Sequence, residues 1–324
     1  MGNLRLLTGV RPSGQAHLGN YFAAFEPAVS MQEKYDLFLF LADFHSINTV
    51  QEPRELHDYS VRLASLLLAC GIDTRKSCLY CQSMIPEVCE LSWILGCITS
   101  YGSITRAHSF KDAKAKGVDL NMGVVNYPIL MAADILIMDS DVVPVGKDQK
   151  QHLEIARDLA IRFNTKFGET FKVPSPLISE SLGVIPGTDG EKMSKSKNNV
   201  IPLFGTDKEW KKAVMSIQTD SLGLEDKKDP SKCNVFNLYK LFASSEEQEE
   251  MRRKYEAGGY GYGHAKLELL EKIKERFSSM RDRYFDYLKR EDDVVDILKE
   301  GAKRVRQVAG EKISEVKQRM GFLL

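Results

Sequence analysis

The sequence predicts an α/β fold in which a parallel sheet with flanking helices is followed by an all-helical domain. Three observations predict it. Short apolar runs alternate with amphipathic stretches through the first half. The second run, residues 35–42 (YDLFLFLA), is apolar at nearly every position, as a strand covered on both faces is. Strand-like runs then vanish after Ile201. The 324 residues have room for about two domains, and the change of texture puts the boundary near 205, giving domains 1–205 and 206–324.

Taken in order, residues 4–8 read as a strand, closed by a turn at 9–14 that holds two glycines, a proline and a serine. A helix follows over about 19–33, the buried strand over 35–42, and a helix over 54–70 with Leu56, Val61, Leu63, Leu66 and Leu67 on its apolar side. A short strand at 78–82 and a helix at 88–99 continue the alternation. Beyond 201, residues 207–217, 245–255, 265–289 and 293–320 read as helices. The last carries a one-sided stripe of Val294, Leu298, Ala302, Val305, Ala309, Val316 and Met320. The glycine-rich run at 258–263 marks a turn.

Composition excludes several classes. With 43% hydrophobic residues the chain is not disordered, and 45 basic against 45 acidic residues exclude a protein that coats nucleic acid by charge alone. No run reaches the ~18 apolar residues of a membrane helix. The first ten residues lack a long apolar core for a signal peptide, and Leu6 stands where a myristoylation signal needs Ser or Thr. A cytoplasmic location is expected. Six cysteines sit in apolar runs. Cys78 and Cys81 form a C-x-x-C, but an extended 77–82 would point the two thiols to opposite faces and no second pair follows, so structural cysteines are expected. No metal-ligand constellation is read.

Three segments carry chemistry. Residues 8–20 (TGVRPSGQAHLGN) have Gly9 and Gly14 at phosphate-loop spacing, but Gln15 and Ala16 replace the Lys-Ser/Thr that such a loop needs. What remains is a strand, a glycine turn and His17 at a helix start, which together gather N–H donors and an imidazole where phosphate charge is stabilised. Gly19 leaves room for a flat ring over the helix backbone. Residues 192–197 (KMSKSK) place three lysines among small hydroxyl side chains on a loop flanked by glycines, able to close over a triphosphate. In residues 126–136 (NYPILMAADIL) Asp134 is a lone carboxylate on a strongly apolar helix, where it must find a donor.

His17-Leu18-Gly19-Asn20 and the KMSKS of residues 192–196, about 175 residues apart, resemble the HIGH and KMSKS motifs of class I aminoacyl-tRNA synthetases, with Asn20 in place of the final His. With Asp43-Phe44-His45, residues 126–136 and residues 142–152 (VVPVGKDQKQH), the chain resembles bacterial-type tryptophanyl-tRNA synthetases over nearly its whole length. That family has a Rossmann-like catalytic domain followed by an all-helical domain that binds the tRNA anticodon. The resemblance implies ATP-dependent activation of L-tryptophan to Trp-AMP, transfer to tRNA(Trp), Mg²⁺ with the ATP, and a two-fold homodimer. Tyrosyl activation is the alternative; tyrosyl enzymes usually carry Gln where Met131 stands. A synthetase-like regulator without aminoacylation would have eroded the two motifs, and a small nucleotidyltransferase seldom carries so long a helical tail.

Site roles follow by the same resemblance. His17, Lys192 and Lys195 are the catalytic set. His17 and Asn20 face phosphates and ribose, Gly146 and Asp148 hold the ribose, and Lys192 and Lys195 grip the β- and γ-phosphates. Arg11, Pro12, Ser13, Gly19, Lys147, Val184, Met193, Ser194 and Ser196 complete the ATP set. Asp134 accepts the indole N–H of tryptophan, with Met131, His45, Tyr127 and Leu7 around the ring and Gln149 at the amino end. One of Lys111, Lys114 and Lys116 adds a phosphate contact. Leu7, Arg11 and Lys147 depart from the common family pattern, which has an aromatic, Gln and an acidic residue at those places. Some relatives carry an iron–sulfur cluster near Cys233, but no cysteine follows it here, so no cluster is expected. The basic runs at 281–290 and 303–306 give helix faces suited to RNA.

Overall fold

The computed structural model describes residues 3–106, 108–115, 117, 120–146, 150–178 and 184–323. Among them, β1 (Arg5–Val10), β2 (Asp36–Leu41), β3 (Cys78–Cys81), β4 (Val142–Val145) and β5 (Ser175–Ile178) form one parallel sheet in the order β3-β2-β1-β4-β5. The β1/β2 register runs from Arg5 opposite Asp36 to Val10 opposite Leu41. Helices α1 (Pro53–Cys70), α2 (Pro86–Cys97), α3 (Met122–Ile137) and α4 (Lys150–Phe167) lie between the strands along the chain, as parallel crossovers require. Strand order reverses at β1, which pairs with β2 on one side and β4 on the other. In such sheets the carboxyl ends of the strands at this reversal are where ligands bind.

Helices α5 (Asp207–Met215), α6 (Asn234–Tyr239), α7 (Ser245–Ala257), α8 (Tyr262–Lys289) and α9 (Glu291–Met320) follow. Of these, α6 is not foreseen from sequence, because six residues show no usable period. The helix expected at 19–33 is broken into Leu18–Asn20, a π-turn at Tyr21–Phe25 and Glu26–Met31. Two features account for the break. Pro27 has no N–H to donate into the preceding turn, and Glu26 N–H reaches back five residues to the Tyr21 carbonyl.

Packing groups the residues into two compact units that do not follow chain order. One comprises 1–13, 28–181 and 290–324, the other 14–27 and 182–289. In the first unit α9 returns to the sheet. Its stripe of Val294, Leu298, Ala302, Val305, Ala309 and Val316 is buried, most of it in the core shared with β2, β3, α2 and α3. Lys312, also buried, ties α9 down by donating to the Thr170 carbonyl at 2.7 Å and pairing with Asp139 at 3.0 Å and Glu315 at 2.8 Å. In the second unit Trp210, Phe236, Tyr255 and Phe277 are buried. The segment after the glycine turn joins them, with Tyr21 edge-on to Phe277 at 4.9 Å and Phe22 edge-on to Phe242 at 5.5 Å.

At Gly301 α9 packs against the sheet so closely that a Cβ would lie 2.0 Å from the Leu79 carbonyl oxygen of β3. Backbone cannot yield there as a side chain can, so Gly301→Ala is expected to destabilise the fold by about 1–3 kcal/mol despite alanine's better helix propensity. A thermal melt of the variant should show a lowered midpoint.

Candidate active site

In the first unit the residues singled out by sequence sit beyond the carboxyl ends of successive strands. Arg11, Pro12 and Ser13 follow β1, Asp43 and His45 follow β2, and Gly146 follows β4. The turn after β3, Gln82–Met84, adds a residue that sequence reasoning missed. Pro12 is buried and its carbonyl accepts from Ser46 Oγ at 3.1 Å, which fixes the exit of β1, while Arg11 and Gly146 are exposed.

Asp134, 4% exposed, lies on α3 in the core. Its donors are Gln82 and His45. Gln82 Nε2 donates to both carboxylate oxygens at 2.9 and 2.8 Å, and His45 Nε2 lies 3.3 Å from Oδ2. A carboxylate only accepts, so the Gln82 amide is turned with its nitrogen inward and His45 carries its proton on Nε2. Burial pushes the Asp134 carboxyl above the usual range; the His45 and Gln82 bonds lower it only in part, and the Asp43 charge adds to the rise. Of about four lone-pair positions three are taken, leaving one on Oδ1. Around this group Tyr127 stands edge-on between His45 at 4.9 Å and His152 at 5.2 Å. Leu7 and Ala133 are core residues, and Met131 packs partly buried against the same core. Asp43 braces the floor, accepting from the Phe44 and Ser83 backbone N–H groups at 3.0 Å each and from the Ser83 hydroxyl. Burial, then the Asp134 charge, hold the Tyr80 hydroxyl well above its usual range.

Within the second unit the two signature motifs come together. His17 pairs as an isolated bridge with Pro202, Leu18 N–H donates to the Ile201 carbonyl at 3.0 Å, and Gly19 N–H points at Met193 Sδ at 3.3 Å. Gly14, at φ +46°, comes so near the loop lysine that a Cβ there would lie 3.2 Å from Lys195 Nζ. Burial, then the Lys195 charge, lower the His17 pKa to about 4, and burial lowers that of Lys195. His17 is therefore a neutral donor and acceptor near pH 7, with Nδ1 buried and lacking a hydrogen-bond partner among the described residues. The Asn20 carboxamide is partly spent, since its Oδ1 accepts from His17 N–H at 3.0 Å.

The lysine loop is braced from inside by Asn199, a second residue missed by sequence reasoning. This buried side chain accepts from Ser194 N–H at 2.8 Å and donates to Asp189 at 2.7 Å and to the Lys192 carbonyl at 3.1 Å. Ser194 and Ser196 hydroxyls share a bond of 2.9 Å, Lys197 pairs with Glu191, and Lys192 is exposed. Val184 points to solvent.

Lys147, Asp148, Gln149 and Lys116 lie outside the described residues; Lys111 and Lys114 are exposed on the helix His108–Ala115. The basic faces are more committed than the sequence suggests. Arg304 donates to the Thr74 and Ser77 carbonyls at 2.9 and 3.3 Å, and Arg306 pairs with Glu87 at 3.0 Å. Arg281 pairs with Asp207 at 2.6 Å and covers the Trp210 ring at 4.6 Å. These arginines hold helices together, because a guanidinium beside a carbonyl or indole gains more from packing than from water.

A His17 that stays neutral down to about pH 4, against 6.5 for an unfolded histidine, means the unfolded chain binds the extra proton first. Its contribution to stability is therefore lost as pH falls from about 6.5 to about 4. Denaturant melts across that window should show a shallower pH slope for His17→Gln.

Residues 1–278 match the family model described as tRNA synthetases class I (W and Y). The chain is 48% identical over 320 residues to the tryptophan--tRNA ligase of Fusobacterium nucleatum, covering 98% of each. It superposes on a crystal structure of tryptophanyl-tRNA synthetase from Campylobacter jejuni, complexed with ADP and tryptophan, with a TM-score of 0.95 at 44% identity, covering 98% of this chain and 100% of that one. The corresponding enzyme of Mycoplasma pneumoniae gives a TM-score of 0.80 at 29% identity, covering 99% of this chain and 98% of that one. With the two signature motifs joined in one unit and relatives of this identity over nearly its whole length, the chain belongs to the class I aminoacyl-tRNA synthetases, in the tryptophan--tRNA ligase family.

Proposed function

We propose that the slot around Asp134 selects tryptophan and that His17 with the 192–196 loop handles the ATP phosphates, so that the family's reaction runs on these residues. The reaction is activation of L-tryptophan by ATP to Trp-AMP and pyrophosphate, then transfer of the tryptophanyl group to the 3′ end of tRNA. The observation that carries the slot assignment is the carboxylate with one acceptor position left over. Indole offers a single N–H, so one acceptor in an apolar slot recognises it. Tyrosine would bring a hydroxyl that both donates and accepts, and a carboxylate serves only half of it.

In the first step the tryptophan carboxylate attacks the α-phosphate in line and pyrophosphate leaves. No protein nucleophile is needed. Catalysis comes from holding the two reactants and from positive charge where the phosphates gain negative charge. Lys195 supplies that charge; partial burial lowers its pKa, and an incoming triphosphate would raise it again. His17, being neutral, donates a hydrogen bond rather than a charge; a phosphate beside it would raise its pKa. Gln82 and Asn199 are positioning residues, the first for Asp134 and the second for the lysine loop. Magnesium comes with ATP as the counter-ion of its phosphates.

Tryptophan-specific tRNA is the second substrate, with the anticodon taken by the helical residues of 206–324. Exposed Trp93, Tyr101 and Met122 support a homodimer, since large apolar side chains left in water favour a partner. No helix among the described residues is long and apolar enough to cross a membrane, which accords with work in the cytoplasm.

Amino-acid-dependent pyrophosphate exchange across the twenty amino acids tests the assignment: tryptophan alone should support it, and exchange with tyrosine instead would overturn it. In the same assay Asp134→Asn should raise the tryptophan KM about 10- to 100-fold, the effect of an ill-satisfied buried hydrogen bond worth ~1–3 kcal/mol. Lys195→Ala should lower kcat about 100-fold, the scale of one lost transition-state contact, with a much smaller change in the tryptophan KM.

A further inference from the structure

In the first unit a groove of about 690 Å³ runs along α9 beside the turn after β3, lined by Met84, Glu87, Lys299, Ala302, Lys303 and Arg306. It takes no part in the slot or in the phosphate chemistry described above. Its cations recur at 299, 303 and 306, spacings of four and three, so they share one face of the helix. Its floor is apolar, from Ala302 and Met84. The single carboxylate lining it is answered at one oxygen: Arg306 donates from Nε and Nη2 to Glu87 Oε1 at 3.1 and 3.0 Å, while Oε2 is buried without a hydrogen-bond partner among the described residues. Lys299 has Asp296 one turn earlier at 3.1 Å, but both side chains are more than 60% exposed (64% and 74%), so the pair holds weakly and can be exchanged. Lys303 is exposed and makes no hydrogen bond or ion pair among the described residues. Charge along α9 is also divided: Glu291, Asp292, Asp293 and Asp296 stand at its start, whereas basic residues outnumber acidic ones from Lys299 onward.

We infer that this groove is a contact surface for the sugar–phosphate backbone of the tRNA. This rests on the tRNA-charging reading and narrows it to one face of α9, which belongs to the helical stretch 206–324 but packs with the sheet unit. Lysines on an open face bind phosphate as point charges, and the small apolar floor between them accepts the ribose of a backbone. An acidic protein segment would meet the lysines equally well, but the proposed reaction already brings a polyanionic RNA to this enzyme. The position matters for the reaction. Met84 ends the turn whose Gln82 and Ser83 hold Asp134 and Asp43, so RNA lying here lies against the outer wall of the tryptophan slot. Lys299 and Lys303 act as positioning residues for the second substrate.

The test uses the full-length enzyme with the double variant Lys299→Ala/Lys303→Ala, whose exposed sites leave folding undisturbed. The tRNA KM in aminoacylation should rise about tenfold with kcat nearly unchanged. Tryptophan-dependent pyrophosphate exchange without tRNA should be unaltered. The slope of log affinity for tRNA against log salt should become shallower by roughly 1.4–1.8, two phosphate contacts at ~0.7–0.9 each. Lys303→Arg, which keeps the charge, should bind tRNA as the parent does. An unchanged tRNA KM, or a raised KM with an unchanged salt slope, overturns the groove assignment. Failure of the unaltered enzyme to exchange pyrophosphate with tryptophan overturns the ligase reading beneath it instead.

Discussion

A carboxylate inside a protein core must be answered by donors, and much of the sheet unit is arranged to answer one. Asp134 sits on α3 among apolar neighbours, and its donors arrive from the ends of two other strands, His45 after β2 and Gln82 after β3. That requirement sets the register of the strand ends. Were β3 to slip by one residue against β2, Gln82 would turn away and the charge would lose its principal donor. Asp43 repeats the device one layer out by binding Ser83, so the turn after β3 is held at both of its polar positions. If Asp134 selects the substrate as proposed, specificity and folding draw on the same hydrogen bonds.

A similar economy governs the unit proposed to meet the phosphates. The lysine loop owes its shape to Asn199, which closes three bonds from inside while leaving the ammonium groups outside. Charged side chains that must meet a ligand cannot also be the ones that fold their own loop. A neutral amide does that part. His17 likewise gives up its charge to burial and to Lys195, so positive potential in this unit comes from lysine and the imidazole serves for directed hydrogen bonding.

Much of this was legible in the sequence because the signals were local. Buried strands that scarcely alternate, the glycine turn before His17 and the lysine loop all show within a few residues. The need of Asp134 for a donor was legible; the identity of that donor was not, since Gln82 is 52 residues away and nothing near it marks it as special. Asn199 was hidden for the same reason, an unremarkable amide at the end of a lysine run. The arginines of α9 and Arg281 misled in the opposite direction. Their composition suggested an RNA-facing surface, whereas the carbonyls, carboxylates and indole ring that occupy these arginines come from distant segments. Stripe periodicity foretold that α9 is one-sided but not which surface its apolar side would cover.

The threading of the chain between its two packing units has a consequence for biosynthesis. The polypeptide leaves the sheet unit after residue 13, returns at 28, leaves again after 181 and re-enters at 290. The sheet's first strand emerges from the ribosome early, yet the helix that completes its core, α9, is made last. Until then the nascent chain must carry an unfinished apolar surface at β3 and α2. Such a protein cannot fold its catalytic half vectorially, and its dependence on chaperones during translation should exceed that of a chain whose domains close one after another.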